Sequence, residues 1–363
     1  MEDIQYLLAI HFFGKFGPIS LHKMNNFFSS WKEAFEAPID ELVKAGISKN
    51  IAIEFICKRK KISPEQIAEK LEKDSIQFIT IQDKLYPDLL KEVYAPPFIL
   101  YYKGSFSYQN FPAVAVVGSR KCTHYGRYVA EQLVTSLTEN NIAIVSGFAL
   151  GIDTIAHLSC LKAKGKTVAV LGTGIDVVYP ISNKYLLEQI IDNGGIVFSE
   201  FPLGTPPLKY NFPQRNRVIA GLSLATLVIE AYKKSGALIT ASLSLEQGRD
   251  VLAVPGNIYS PASKGTNQLI KQGAIPVTSA EDILDALDLK EAKHYIDNKT
   301  FIEITKEEKV IVDSLAYPMH INEIVKKTKF DINVVNSMLA IMEAKGLVKN
   351  LGGMKYVREV SDL

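Results

Sequence analysis

The chain has 363 residues, 47% of them hydrophobic and 22% charged, with a formal net charge of +2. That balance suits a globular protein of two or three domains and excludes a uniformly basic, histone-like nucleic-acid coat. The charge is spread evenly along the chain, so any anion site has to be a local arrangement of Arg, Lys and backbone N–H groups.

The opening MEDIQYLLAIHFFG begins acidic and lacks a basic region and a cleavage site, and no apolar run approaches the length of a membrane span. A cytoplasmic protein without membrane contact is expected. Residues 1–75 read as a helical domain, with apolar residues at helical spacing broken at Pro38 and Gly46. The piece LVKAGISKNIAIEF (Leu42–Phe55) has the turn glycine of a helix-hairpin-helix, a motif that offers N–H groups to phosphate. A plain αα-hairpin with Gly46 ending its first helix is the favoured reading, because short hairpin patterns recur by chance. The run KRKK (Lys58–Lys61) reads as a solvated helix end. Two short strand candidates, IQFIT and PPFILYY, lead into the next domain.

From residue 112 to 288, apolar strands alternate with helical stretches: PAVAVVG, NIAIVSG, KTVAVLG, GIVFSE, ATLVIEA and RDVLAVPG. Runs this uniformly apolar are buried on both faces, as in a parallel sheet covered by helices. The region 76–288 is therefore expected to be a doubly wound, Rossmann-like α/β domain. Residues 289–300 read as a polar linker. In 301–363, three helical stretches and a hairpin turning at Gly352–Gly353 read as a winged helix.

In such a sheet, ligands bind outside the carboxyl ends of the strands. The first strand ends in Gly118-Ser119-Arg120, and the second in SGFALGIDTIAH, with Ser146, Gly147 and Gly151 ahead of a helix. The third runs into GTGIDVVYP. The fourth is followed by a segment with Lys209, Phe212, Arg215, Asn216 and Arg217, and the fifth by Ser235 and Gly236 opening another helix. Small residues at helix N-termini leave N–H groups and positive potential for phosphate. Together with Arg120, Lys209, Arg215 and Arg217 they would suit several phosphates in a row. Taken singly, each glycine could be no more than a tight-turn residue.

Tyr210 and Phe212 beside Lys209 fit a stacking platform for unpaired bases, or a hydrophobic plug under a loop. Arg215 and Arg217 are two apart and point in different directions, so one is expected to pair with a carboxylate such as Glu230 or Asp153. Asp153 and His157, one helical turn apart, could suggest acid–base work, but a packing His paired with its own Asp is the preferred reading. Arg120 stands where a dinucleotide fingerprint needs its second glycine, and GTGIDV fails the same fingerprint at Val177. GKT at Gly165–Thr167 lacks the upstream glycine of a phosphate-binding loop, since Cys160 holds that position. Cys57, Cys122 and Cys160 are far apart, without C-x-x-C spacing, and read as free thiols; no metal or other cofactor is expected.

With these residues in hand, the chain resembles the DNA-processing protein A family (DprA, also called Smf). The blocks that carry the resemblance are GSRKCTHYG, SGFALGIDTIAH, TVAVLGTGIDVVYP, FPQRNRVIAGLS, EAYKKSGALITA, GRDVLAVPG and KGTNQLIKQGA, in order across 112–280. The N-terminus resembles that family's sterile-alpha-motif-like domain, and the C-terminus its winged helix. The resemblance implies a non-enzymatic protein that binds single-stranded DNA, forms a homodimer through the α/β domain, and loads RecA in natural transformation. By the same resemblance, Gly118, Ser119, Arg120, Ser146, Gly147, Gly151, Lys209, Phe212, Arg215 and Asn216 would line the DNA pocket.

The rival reading is a nucleotide phosphoribohydrolase-like enzyme. Those enzymes carry a glutamate in the turn after a late strand, whereas here KKSGALITASL holds no carboxylate before Glu246. In the C-terminal region, the stretch DINVVNSMLAIMEAKG starts with Asp331 and has Lys345 as its one basic residue, near its end. Its core stripe is Val335, Met338, Leu339 and Met342, which leaves Asn333, Asn336 and Ser337 as the polar face. Such a helix would face phosphates badly, so the domain is expected mainly to bind protein or support a dimer. Lys349, Lys355 and Arg358 in the following hairpin leave room for weak backbone contact.

Overall fold

The computed structural model describes residues 2–287, 306–315, 319–344, 348–350 and 354–358, which group into two compact units, Met1–Leu287 and Asp288–Leu363. The expected linker 289–300, the turn at Gly352–Gly353 and Lys345 lie outside the described residues, as do the side chains of Asn333, Lys349 and Arg358.

The first unit opens with six helices: α1 (Glu2–Phe12), α2 (Pro18–Phe27), α3 (Trp31–Glu36), α4 (Ile39–Lys44), α5 (Lys49–Arg59) and α6 (Pro64–Lys73). Ser30 and Ser63 cap α3 and α6 by accepting from the Glu33 and Gln66 N–H groups. Between α4 and α5, Gly46 takes φ +86°. Its N–H bonds Val43 O, and that of Ile47 bonds Leu42 O. The turn's own donors therefore close the end of α4, as in a plain αα-hairpin. Within KRKK, Lys58 pairs with Glu54, and Arg59 donates to the Phe35 and Ala37 carbonyls. That arginine is a structural stitch, which a solvated helix end would not require.

A nine-stranded sheet follows, built from β1 (Gln77–Thr80), β2 (Ile99–Gly104), β3 (Ala113–Val117), β4 (Ala143–Ser146), β5 (Thr167–Val170), β6 (Ile196–Ser199), β7 (Ala225–Val228), β8 (Asp250–Ala253) and β9 (Ile275–Pro276). Their spatial order is β1-β2-β6-β5-β4-β3-β7-β8-β9. Strands β3 to β9 run parallel, and β3 to β7 are buried at every position, as their unbroken apolar runs require. The connecting helices are α7 (Asp88–Lys91), α8 (His124–Glu139), α9 (Ile152–Lys162), α10 (Lys184–Asp192), α11 (Asn211–Gly221), α12 (Gly236–Glu246), α13 (Lys264–Lys271) and α14 (Ala280–Ala286). Helices α8–α10 pack together and α11 packs on α12, the two groups serving the two directions in which strands are added, which is the doubly wound arrangement.

Two features depart from the sequence reading. The stretches IQFIT and PPFILYY are not a mere link: β2 adds antiparallel to β6, and β1 to β2. Their inward residues Phe98, Ile99 and Tyr101 share one core with Leu7, Leu21, Leu42 and Phe55 of the helical segment. The helices are thereby seated on the sheet's antiparallel edge. The two-residue β9, absent from the expected strands, closes the other edge.

The second unit holds α15 (Lys306–Ser314), α16 (Ile321–Thr328) and α17 (Ile332–Ala344) with a three-stranded antiparallel sheet, ordered β10 (Met319–His320), β12 (Lys355–Arg358), β11 (Val348–Asn350). Ile311, Ile324, Val335, Leu339, Met342 and Tyr356 are among its core residues. Among the described residues, no helix is long and apolar enough to cross a membrane.

Candidate nucleic-acid interface

From β3 the chain winds through β4 and β5 to β6 on one side, while β7, β8 and β9 continue on the other. The carboxyl ends of β3 and β7, paired at Val117 and Val228, therefore flank the crevice where an open sheet of this kind takes its ligands.

The turn Gly118-Ser119-Arg120 is pinned from below. A Cβ at Gly118 would meet Ile152 at 2.6 Å, so glycine is what lets α9 pack under the turn. Ser119 is buried; its hydroxyl accepts from the Lys121 N–H at 3.0 Å and its carbonyl from Ile152 N–H. Gly151 has φ +82°, and a side chain there would also collide with the Ser119 carbonyl. Anchored this way, the turn leaves Arg120 exposed and outside any ion pair of the described residues.

The Arg120 guanidinium lies 5.4 Å from the centre of the Phe212 ring. Phe212 in turn faces Tyr179, with ring centres 5.7 Å apart at 47°. A Cβ at Gly172 would meet the Phe212 ring at 2.7 Å, so this glycine, two residues past β5, makes the seat for the ring. Cation and aromatic surface thus meet at one point of the strand-end edge. Tyr179, 44% exposed, is a member of this site that the sequence reading did not single out. Its signal was available: an aromatic residue in the long turn GTGIDVVYP, on the same sheet edge as the other candidates.

Beneath the rings, Arg215 is 3% exposed and donates through one nitrogen to the carbonyls of Gly147 and Val170. Its guanidinium is 5.9 Å from the Phe212 centre, on the same ring that Arg120 covers. Burial pulls its pKa down to about 10, against the attraction of Asp153. Burial likewise pushes the Asp153 carboxyl up to about 6, opposed by Arg215 and by the Ala149 N–H. We read the two as a buried pair in which desolvation disfavours both charges and mutual attraction partly restores them. His157 does not pair with Asp153: it bonds Thr167 Oγ1 at 2.7 Å, is fully buried, and is pulled down to about 3, hence neutral. Asp153 is thus a buried carboxyl beside Arg215, and His157 a neutral core residue.

Not every candidate converges. Arg217 leaves the cluster: it pairs with Glu200 and donates to Ala95 O, on the other side of α11. Of the two expected carboxylates, Asp153 attracts Arg215, as above, while Glu230 serves neither arginine. Glu230 accepts from the N–H and hydroxyl of Thr123 and so clamps the start of α8. The Ser146 hydroxyl is buried and donates to Val116 O, so only its backbone lies at the edge. Ser235 caps Ala237 N–H, Gly236 is exposed, and Asn216 ties the two helices by donating to Gly236 O at 3.5 Å. Lys209 and Tyr210 are exposed just ahead of α11. The helix starts are less open than small residues suggested, because several of their N–H groups are already capped. Arg120 and Lys209 remain exposed cations on this stretch of surface.

Fold and crevice together define a Rossmann-like protein whose switch point offers a cation over an aromatic seat, with no dinucleotide cradle. The family profile described as DNA recombination-mediator protein A matches residues 77–288, and this chain belongs to that family. DNA processing protein DprA of Streptococcus pneumoniae is 49% identical over 205 residues, 56% of this chain and 72% of that one. Protein Smf of Synechocystis is 34% identical over 380 aligned positions, covering 94% and 95% of the two chains. Among solved structures, DNA processing protein A from S. pneumoniae superposes with a TM-score of 0.68 at 38% identity, over 77% of this chain and 97% of that one. DNA processing protein A from Helicobacter pylori, whose structure is described by its single-stranded DNA binding mode, gives 0.53 at 29%, over 59% and 97%.

Proposed function

We propose that the protein binds single-stranded DNA at this crevice, as its H. pylori relative does, and acts without catalysing a reaction on it. The observation that carries the reading is the exposed Arg120 lying over the Phe212 ring beside Tyr179. A phosphate needs a mobile, unpaired cation, and an unpaired base needs a ring face. Duplex DNA offers the first need without the second, since its bases are already stacked. Gly118, Ser119, Gly147, Gly151, Asn216, Ser235 and Gly236 shape the turns around the strand, and Arg215 holds Phe212 from below. Bound to recombining DNA, the protein would hand the strand to RecA, acting as a homodimer in transformation or another recombination route. The second unit would be a winged helix that mainly binds protein.

Anisotropy titrations test this. Arg120→Ala should weaken single-strand binding and flatten the log–log salt slope by ~0.7, one lost phosphate contact. Unchanged affinity and slope in the folded variant would remove Arg120 from the site. Release of free base from nucleoside monophosphates would instead favour the phosphoribohydrolase reading.

A further inference from the structure

Past Arg120 the strand-end edge runs on over β7 and β8, where three segments are tied together. Glu230, just past β7, holds the N–H and the hydroxyl of Thr123 at the start of α8. Tyr125, in the first turn of α8, donates its hydroxyl to Pro255 O at 2.9 Å, just past β8. The loop after β8 is bonded in turn to the end of β7, through Ala231 N–H on Ala262 O and Gly265 N–H on Ala231 O. The surface so assembled carries one sign of charge. Lys121, Arg127, Lys233 and Lys234 are exposed and belong to no ion pair of the described residues. Residues 118–129 and 231–245 contain no Asp or Glu, and Glu230 itself is 2% exposed. On a chain with a net charge of only +2, such a local excess is what draws an anion.

The same surface exposes rings. Tyr128 is 63% and Tyr232 40% exposed, and Tyr125 stays half-exposed even with its hydroxyl held. Tyr125 and Tyr128, three apart on α8, are neighbours on one side of that helix. Tyr232 follows Glu230 by two residues, in the segment that Glu230 fastens to α8. Open rings among free cations suit a single strand, whose bases stack while its phosphates answer the charge. A protein partner would want a continuous apolar centre, whereas these rings stand among the exposed Thr123, His124, Arg127 and Lys233. We propose that a strand gripped at Arg120 and Phe212 continues over the start of α8 to the turn after β7. Its bases stack on Tyr128 and Tyr232, and its phosphates meet Lys121 and Lys233. The inference rests on the single-strand reading above and adds to it the course and length of the track. Tyr125 acts as a brace, holding the loop after β8 in place.

The experiment titrates the full chain with dT6 and dT20 over a range of salt. The short strand is spent on the Arg120–Phe212 grip, and the long one reaches the track. The log–log salt slope is the readout, because extra binding registers on a longer strand raise affinity without changing slope. The wild type should show a slope steeper for dT20 than for dT6 by ~1.4, two further phosphates at ~0.7 each. Lys121→Gln combined with Lys233→Gln should remove that difference and leave dT6 as it was. Tyr128→Ala combined with Tyr232→Ala should weaken dT20 about tenfold or more, the loss of stacked bases, and keep its slope. Phenylalanine at both positions should restore the affinity, since a ring without its hydroxyl still stacks. All four side chains are exposed, so these variants should fold as the wild type does. Arg120→Ala should weaken both lengths.

Equal wild-type slopes for the two lengths, or dT20 binding untouched by both double variants, would overturn the track and leave the Arg120 reading intact. The patch would then belong to another partner. An equal loss on dT6 and dT20 in the tyrosine variant would put the rings in the primary grip and overturn the extension. Absence of wild-type binding to either strand would overturn both readings.

Discussion

Arg215 and Asp153 show how much a single side chain here depends on what lies over it. Both are almost fully buried, and each is tolerated because the other is there. Arg215→Met should destabilise the protein by about 3–5 kcal/mol, the usual loss when one member of a buried pair goes. The sign with pH follows from the Asp153 carboxyl, already raised to about 6 by burial. A raised carboxyl is at ease when protonated, so its contribution is present at low pH and lost as pH rises through about 6. Without Arg215 that carboxyl rises further, and denaturant midpoints should show a larger loss at pH 8 than at pH 5. An equal loss at both would mean that Asp153 is not the residue left exposed to the change. Tyr179 behaves differently, being at the surface. Tyr179→Ala should leave stability within ~0.5 kcal/mol, yet weaken single-strand binding by ~1 kcal/mol or more if a base stacks there. That Arg215 and Arg217 point apart was legible from their spacing on a helix. Their partners were not, since Glu200 follows a strand, β6, whose place in the sheet no local pattern reveals.

At the scale of elements, the six parallel strands from 112 to 256 were legible because each is a short unbroken apolar run, and every one is present. The edge strands β1 and β2 carry the same kind of signal, but their role as sheet edge and seat for the helices depends on a long-range pairing with β6. In the second unit, α17 buries Val335, Leu339 and Met342, as the apolar stripe required, and leaves Asn336 and Ser337 exposed. It also exposes Ile332, Val334 and Ile341, each about half, which the stripe alone did not announce. Val334 and Ile341, seven residues apart, share one side of the helix, and exposed apolar side chains suit a protein partner better than a phosphate backbone. A chain truncated after Leu289 should therefore keep its DNA affinity within tenfold, ~1.4 kcal/mol, for single and double strands at matched salt. A larger loss would make the second unit a DNA module.

For the whole molecule, a net charge of +2 supplies little general attraction for DNA, so affinity has to come from a local site repeated or extended along the strand. Two crevices linked in a homodimer would raise the effective concentration of the second contact without any new chemistry. Sedimentation at micromolar concentration should show a dimer, with or without DNA. A monomer in both conditions would leave one short track per molecule and would count against a role in loading a filament.

The sequence by itself determined the α/β class, the parallel strands and the cluster of strand-end turns, because apolar runs and glycine turns are local signals set by backbone sterics and burial. It also carried the motif blocks that place the chain in its family. Only the tertiary structure decided which charges are free. Arg120 is exposed because Ser119 and Gly151 lock its turn from beneath, whereas Arg217 is consumed by Glu200, the residue that follows β6. The Phe212–Tyr179 seat is likewise a product of long-range approach. Whether a cation binds a ligand or the protein's own carboxylate depends on which segments the fold brings within a few ångströms, and neither periodicity nor composition encodes that distance.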